Sequence, residues 1–360
     1  MCTPRMALFF ILAVVSHAGL AHHSRANFQL DNLVEMRGTV TEFNWANPHI
    51  YWRMELENGE NWLIEGHSIP GALRLGWSRD TIQVGDELLL KAFPDQNTER
   101  NFALVEYLVL ADGTALAGFT PNAIPAELRA EAGGGAGAGG APGPGRGRNA
   151  GPVEPSTDFS GNWRADLRGV NLRTGAFFEP QAELPLTEAG EAVMAAYDEV
   201  ENPSYQCIQG GLPIGGGPYG IRIDRHDDRL AIRGEHSNID RDNVIWLDES
   251  AAPTDQPPSR QGLAIGRAEG DRAIVFEVTN YAAAKWGLGR GLDSSDRKHV
   301  SGRLELQADG LAINYSYSIT DPVYLTEAIT RGGVLRKEPD REFVNEPCDP
   351  EISSLHLSVE

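Results

Sequence analysis

The chain has 360 residues, a hydrophobic fraction of 41% and a formal net charge of -20. That length supports two domains with cores of their own. The acidic balance argues against nucleic acid and anionic lipid as partners, because phosphate binding needs clustered Lys and Arg.

Residues 1–21 read as a secretory signal peptide. Arg5 supplies a short positive start, Met6 to Val15 an apolar run, and Gly19-Leu20-Ala21 small residues ahead of a cut. The apolar run is too short to span a bilayer, so no transmembrane anchor is expected. No Cys follows it, which argues against a lipoprotein. The expected location is periplasmic or secreted. A cut after Ala21 leaves His22 at the mature N-terminus; a cut after Ala18 is the competing choice.

Residues 22–119 read as a small domain. Val34 to Phe43 alternates loosely around Gly38, which suits a strand with a bulge or bend. In the next strand Ile50, Trp52, Met54 and Leu56 share one face, and Tyr51, Arg53 and Glu55 share the other. Asn58-Gly59 is a hairpin turn returning to Trp62–Glu65. A short helix or turn over Ile69–Leu75 precedes strands at Glu87–Phe93 and Phe102–Leu110. Several short strands around one small helix predict an OB-like barrel.

Residues 120–156 read as a linker rich in Gly, Ala and Pro. Residues 157–360 then predict a larger antiparallel β-barrel or sandwich with one helix. That helix is Glu188–Val200, with Thr187 as its N-cap. Seven strands follow from Tyr219 to Ile319, and Ile313, Tyr315, Tyr317 and Ile319 share a face in the last. Cys207 and Cys348 are an even pair in an exported protein, and a disulfide is the economical reading. The whole chain therefore reads as mainly β.

Three groups of residues could carry chemistry. His22 at a free N-terminus offers an amine and an imidazole; with His23 beside it and His49 completing the set, the nitrogen donors suit copper or zinc. The plainer reading is a solvated terminus and a packed His49. In the second domain Arg267, Asn280, Trp286 and His299 would line a pocket for a small ligand if they face inward. His236 and His299 are the candidates for general-base catalysis, His236 following Glu235 directly. Trp45, Trp52, Trp62 and Trp77 suit a core or a binding face. No Gly-x-Ser-x-Gly elbow, His-Glu-x-x-His helix or phosphate loop occurs.

Two resemblances accompany these motifs. His22-His23-Ser24, Gly38-Thr39-Val40, Asn47-Pro48-His49, Gly76-Trp77 and Val84-Gly85-Asp86 make residues 22–118 resemble a bacterial family of small exported domains with no assigned activity. His67 departs from its pattern. Residues 158–350 resemble a second uncharacterised exported family, through Phe159-Ser160-Gly161-x-Trp163, Cys207, Ile265-Gly266-Arg267, Asn280, Trp286, His299, Asp321-Pro322 and Cys348. The Gly-x-Trp opening is also similar to that of lipocalins, whose barrels hold apolar ligands. Neither resemblance supplies a reaction. The expectation is an exported binding or accessory protein that holds a small or apolar ligand in its C-terminal barrel, or engages an exported protein partner. The alternatives are a copper or zinc protein built on His22 and His49, and a lyase- or hydrolase-like enzyme in the second barrel.

Overall fold

The computed structural model describes residues 27–131, 157–166, 184–208, 211–212, 220–235 and 242–359. The predicted signal, His22, His23 and His236 lie outside them, as does the Gly-rich part of the linker.

The first barrel is closed by one parallel pairing. Its strands are β1 (Val34–Asn44), β2 (Tyr51–Leu56), β3 (Asn61–Glu65), β4 (Glu87–Pro94), β5 (Phe102–Val109) and the short β6 (Ala115–Ala117). Antiparallel pairing gives the order β3-β2-β1-β4-β5-β6, and β3 also pairs with β5, with Leu63 opposite Phe102. The closed five-strand circuit, with helix α1 (Ile69–Arg74) between β3 and β4, is the OB-like barrel expected from the sequence. Ile50, Trp52 and Met54 are fully buried inside it, as their alternation predicts. The bulge in β1 falls between Val40 and Glu42. Gly38 has a different role: a Cβ there would run into the Glu55 carbonyl of β2. Beyond β6, α2 (Ala126–Glu131) occupies the start of the predicted linker.

The second barrel has nine strands. They are β7 (Gly161–Ala165), β8 (Gly220–Arg225), β9 (Arg229–Gly234), β10 (Asn243–Trp246), β11 (Leu263–Glu269), β12 (Ala273–Thr279), then, after the hairpin β13 (Ala284–Gly289) and β14 (Leu292–Ser294), β15 (His299–Leu306), β16 (Ala312–Thr320) and β17 (Ile329–Lys337). The circuit runs β10-β11-β12-β15-β16-β17-β7-β8-β9. It is antiparallel except for β10 against β11. β7 and β17 complete it and were not expected as strands. In β17, Gly332-Gly333 interrupts the apolar alternation, because the Tyr315 side chain of β16 occupies the space a Cβ at Gly333 would need. Helix α3 (Glu188–Ala195) starts at Thr187, whose Oγ1 accepts from Gly190 N at 3.1 Å. It is shorter than predicted. Asp198 accepts from Val200 N and starts a separate 3-10 turn, so a side-chain bond competes with helix continuation.

The two barrels meet at one carboxylate. Glu235, just after β9, is fully buried. It accepts from Gly220 N at 2.7 Å, Val344 N at 3.2 Å and Arg341 Nε at 3.1 Å, and it pairs with Arg341 Nη2. Arg74 of α1 in the first barrel reaches it at 3.5 Å. The sequence left Glu235, next to His236, both acid–base and ion-pair roles; the contacts it makes among the described residues are ion pairs and backbone hydrogen bonds. From Val344 the chain runs onto the first barrel. Asn47 donates from Nδ2 to Glu346 O at 2.9 Å, and Cys348 forms the expected disulfide with Cys207. Helix α4 (Pro350–Ser353) follows, and Ser353 donates to the Tyr205 carbonyl.

Replacing Glu235 by Gln removes the buried charge that Arg341 and Arg74 face and leaves Arg341 with Glu338 as its remaining acidic partner. The expected loss of stability is about 1.5–3 kcal/mol, measured by chemical denaturation. An unchanged midpoint and slope would show that the carboxylate is not the joint.

Candidate functional site

Periodicity puts Tyr51 on the outer face of β2, yet Tyr51 is fully buried. The C-terminal segment covers it. His356, in the 3-10 turn Leu355–Ser358 after α4, stacks over the Tyr51 ring with an interplanar angle of 8°. Its Nδ1 lies 3.3 Å from the Tyr51 hydroxyl. Phe102 and Tyr205 also flank the His356 imidazole. Arg100 fastens the backbone: it donates to the His356 carbonyl and, at 3.0 Å, to the Val359 carbonyl, while its Nη1 pairs with buried Asp95 at 2.7 Å.

Glu65, the last residue of β3, joins this group to His49. Its carboxylate lies 3.5 Å from the Tyr51 hydroxyl, which donates to it, and 3.3 Å from His49 Nδ1. The Gly66 carbonyl is 3.2 Å from the same His49 nitrogen. Both neighbours of Nδ1 are acceptors, so Nδ1 carries the proton. In the neutral ring Nε2 then keeps its lone pair. His49 is placed by the cis Asn47-Pro48 turn, and Asn47 is itself tied to the C-terminal segment.

The group is electrostatically uneven. Burial, followed by the charges of His49 and Arg100, pushes His356 down to about 4. Its Nε2 is buried with no hydrogen-bond partner, which suits a neutral ring. Burial, then the Glu65 charge, raises the Tyr51 hydroxyl well above its usual range. Such a cluster holds protons in fixed places and gives a substrate little access. Among the described residues no group of three or more His, Cys, Asp or Glu could hold a metal ion. Of the predicted metal set, His22 and His23 lie outside those residues, so the structure positions His49 alone.

In the second barrel the interior is filled by side chains. Trp163, Ile221, Ile223, Ile245, Phe276 and Val278 are among the buried core. The space left among Leu212, Phe276, Tyr315 and Leu335 is about 40 Å³, enough for about one water rather than a small molecule. Phe276 covers Gly302, its cross-strand partner, whose missing Cβ makes room for the ring. On the outer side of β11, β12, β15 and β16 lies an open groove of about 810 Å³. Arg267, Glu277, Ser301, Arg303, Ser316 and Ser318 line it. Val300 and Leu304 point into the core, so Ser301 and Arg303 between them point out.

The predicted ligand residues divide between two places. Arg267 lies on the groove and pairs with Glu269, which also holds Arg303 at 2.7 Å. His299 is on the same outer face, its Nε2 3.4 Å from Glu277. Asn280 and Trp286 sit near the β13–β14 hairpin, both with positive φ. Asn280 donates to the Gln256 carbonyl, and Trp286 stacks on Tyr197 at 5.4 Å. His236, the other catalytic candidate, lies outside the described residues. Trp52 and Trp77 are core residues 6.0 Å apart, and Trp45 and Trp62 are half-buried against the same core. His67 stacks on Phe119 at 4.8 Å. Sequence reasoning missed Tyr51, Glu65 and His356 because their burial depends on a segment about 300 residues away along the chain.

Residues 10–103 match a family of unknown function, DUF6152. The match covers most of the first barrel and fits the uncharacterised small-domain family expected for that region. No curated protein matches the chain. No helix among the described residues is long and apolar enough to cross a membrane.

A His that titrates near 4 when folded and near 6.5 when unfolded binds fewer protons in the folded state between those values. Folding stability contributed by His356 is therefore present above pH 6.5 and lost as the pH falls towards 4, by about 3 kcal/mol. Urea denaturation of wild type and His356→Gln across that window measures it. The wild type is expected to lose more stability than the variant; parallel curves would exclude His356 as the sensor.

Proposed function

We propose that the chain is an exported, non-catalytic binding protein whose ligand face is the open groove on the outside of the larger barrel. One contrast carries this reading: the pocket among the inward side chains Leu212, Phe276, Tyr315 and Leu335 holds about 40 Å³, while the groove offers about 810 Å³. A volume of that order suits a small molecule. The lining favours a polar, hydroxyl-bearing ligand over an apolar one. Ser301, Ser316 and Ser318 offer short hydroxyls, and Arg267, Arg303 and Glu277 offer charges at the rim. Residues 1–21 support export, and with it a periplasmic or secreted location.

A second reading has its own observation. His49 has its Nδ1 fixed by two acceptors, which leaves Nε2 as a metal-facing donor. Metal-bound imidazoles are held through their other nitrogen in this way by a carboxylate or carbonyl. Copper or zinc would bind there only with further donors, and His22 and His23 are the sequence candidates.

Native mass spectrometry of the full chain, secreted through its own signal, tests both. A bound small molecule is expected on wild type and absent from Ser318→Trp, whose indole fills the groove. The same bound mass on both proteins would place the ligand elsewhere. For the second reading, Cu(II) or Zn(II) titration is expected to give near-stoichiometric binding that His49→Ala reduces at least tenfold, about 1.4 kcal/mol. Equal metal uptake by both proteins would remove His49 from the site.

A further inference from the structure

Four acidic side chains are buried among the described residues: Glu65, Asp95, Glu235 and Asp321. Each has donors around it. Glu65 has His49 and Tyr51, Asp95 has Arg100, and Glu235 has Arg341. Asp321 accepts from Ser295 N and Ser295 Oγ, both at 2.7 Å, and from Val323 N. The matching census of buried Lys and Arg among the described residues gives one residue, Lys298.

Lys298 lacks a counter-charge. Its Nζ donates to the Gly287 carbonyl at 2.8 Å and lies 4.4 Å from the centroid of the buried Tyr281 ring. No carboxylate of the described residues lies within ion-pair distance of it. The positive group nearest in electrostatic effect is Arg260. Arg260 is half-buried and has no carboxylate partner either. It spends Nη1 on the Lys285 carbonyl at 2.6 Å, and its Nε is buried without a partner.

The nearby carboxylates are already engaged. Asp321 has three donors. Asp293 accepts from Trp286 N and faces Lys285 Nζ at 3.5 Å. Burying a cation without pairing is costly, and here buried Lys298 and half-buried Arg260 hold the Gly287 and Lys285 carbonyls of the same strand, with the Arg260 Nε–H unused. The backbone around them is held in an uncommon form. Asn280 and Trp286 have φ of 56° and 53°, which non-Gly residues adopt at a cost, and such residues concentrate at ligand sites. Asn280 fixes the Arg260 loop: its carbonyl accepts from Ser259 N, and its Nδ2 donates to Gln256 O.

We propose that Arg260 and Lys298, beside the β13–β14 hairpin, form a binding site for a small oxyanion. A guanidinium whose buried Nε–H has no partner and an ammonium with a spare N–H together match a carboxylate or phosphate group. This site is distinct from the groove, whose lining includes neither residue.

Burial, then the Arg260 charge, lowers Lys298 to about 8. The groups acting on it are Arg260, Asp321 and the Tyr281 ring, with Asp293 acting on Arg260. Binding needs the ammonium, so affinity falls as pH rises through about 8.

The test uses the full chain, with inorganic phosphate and acetate as separate probes against chloride of matched ionic strength. Thermal melts at pH 7 are expected to show a rise in Tm with at least one probe, shrinking at pH 9. Lys298→Met removes a buried charge and keeps the stem, so it is expected to melt no lower than wild type without anion and to lose the anion-dependent rise. Arg260→Gln is expected to weaken the rise, and Lys298→Arg to preserve part of it. Phosphate acting alone identifies a phosphate-selective site; acetate acting as well identifies a general oxyanion site. Calorimetry on wild type guards against a variant that misfolds. No heat and no Tm rise beyond chloride, or an equal rise in Lys298→Met, would overturn the proposal.

Discussion

A single carboxylate holds the architecture together. Glu235 is removed from water and surrounded by donors from four directions: Gly220 at the start of β8, Arg341 and Val344 beyond β17, and Arg74 on α1 of the other barrel. A buried carboxylate tolerates no empty position, because desolvation is repaid only when the geometry is filled. Gly220 belongs to the same constraint. The Glu235 carboxyl occupies the space a Cβ at that position would take, so the strand start and the acid fit only together.

The consequences run along the chain. Fixing Arg341 and Val344 directs the C-terminal segment away from the second barrel and onto the first. Asn47 then catches Glu346 and Pro347 through its side chain and backbone. The disulfide fixes Cys348 against the turn that carries Tyr205, closing a sequence separation of 141 residues. Only after these steps does His356 reach Tyr51. The cluster with Glu65 and His49 is therefore assembled by contacts distant in sequence, and its proton arrangement depends on the joint between the barrels. His356 stays neutral because burial disfavours its charged form, and the charges of His49 and Arg100 act in the same direction.

Much of the fold was legible because it is written in short-range periodicity. Ile50, Trp52 and Met54 alternate into a core, and the strand predicted at Glu87–Phe93 is β4, Glu87–Pro94. The missed strands fail that test for physical reasons. Gly332-Gly333 yields its side-chain space to Tyr315, and β7 is a short segment paired with strands far away in sequence. The site was less legible. Alternation places Tyr51 opposite Trp52 correctly, but only the returning C-terminal segment buries it. Arg267 and His299 were expected to face a ligand inside a barrel. Their strands turn these side chains outwards, because Ala264, Phe276, Val278 and Val300 already fill the inner face. The disulfide was legible from cysteine count, whereas its role in holding a segment across the first barrel needed the topology.

Charge placement gives the same lesson at the level of function. A chain with 51 acidic and 31 basic residues has carboxylates to spare for its cations. Arg267, Arg303, Arg336 and Arg341 all have acidic partners. Against that surplus, a buried Lys298 beside Arg260 with neither one paired is not explained by a shortage of acids. Asp293 and Asp321 lie near enough to act on the pair electrostatically, yet they are turned to Trp286, Lys285, Ser295 and Val323. The fold thus keeps two cations without an ion-pair partner at one place while Glu235, just after β9, receives more donors than a carboxylate needs. A structure selected for stability alone would gain by pairing Lys298 or replacing it with an apolar residue of the same shape; retaining it as it stands is what an anion site requires.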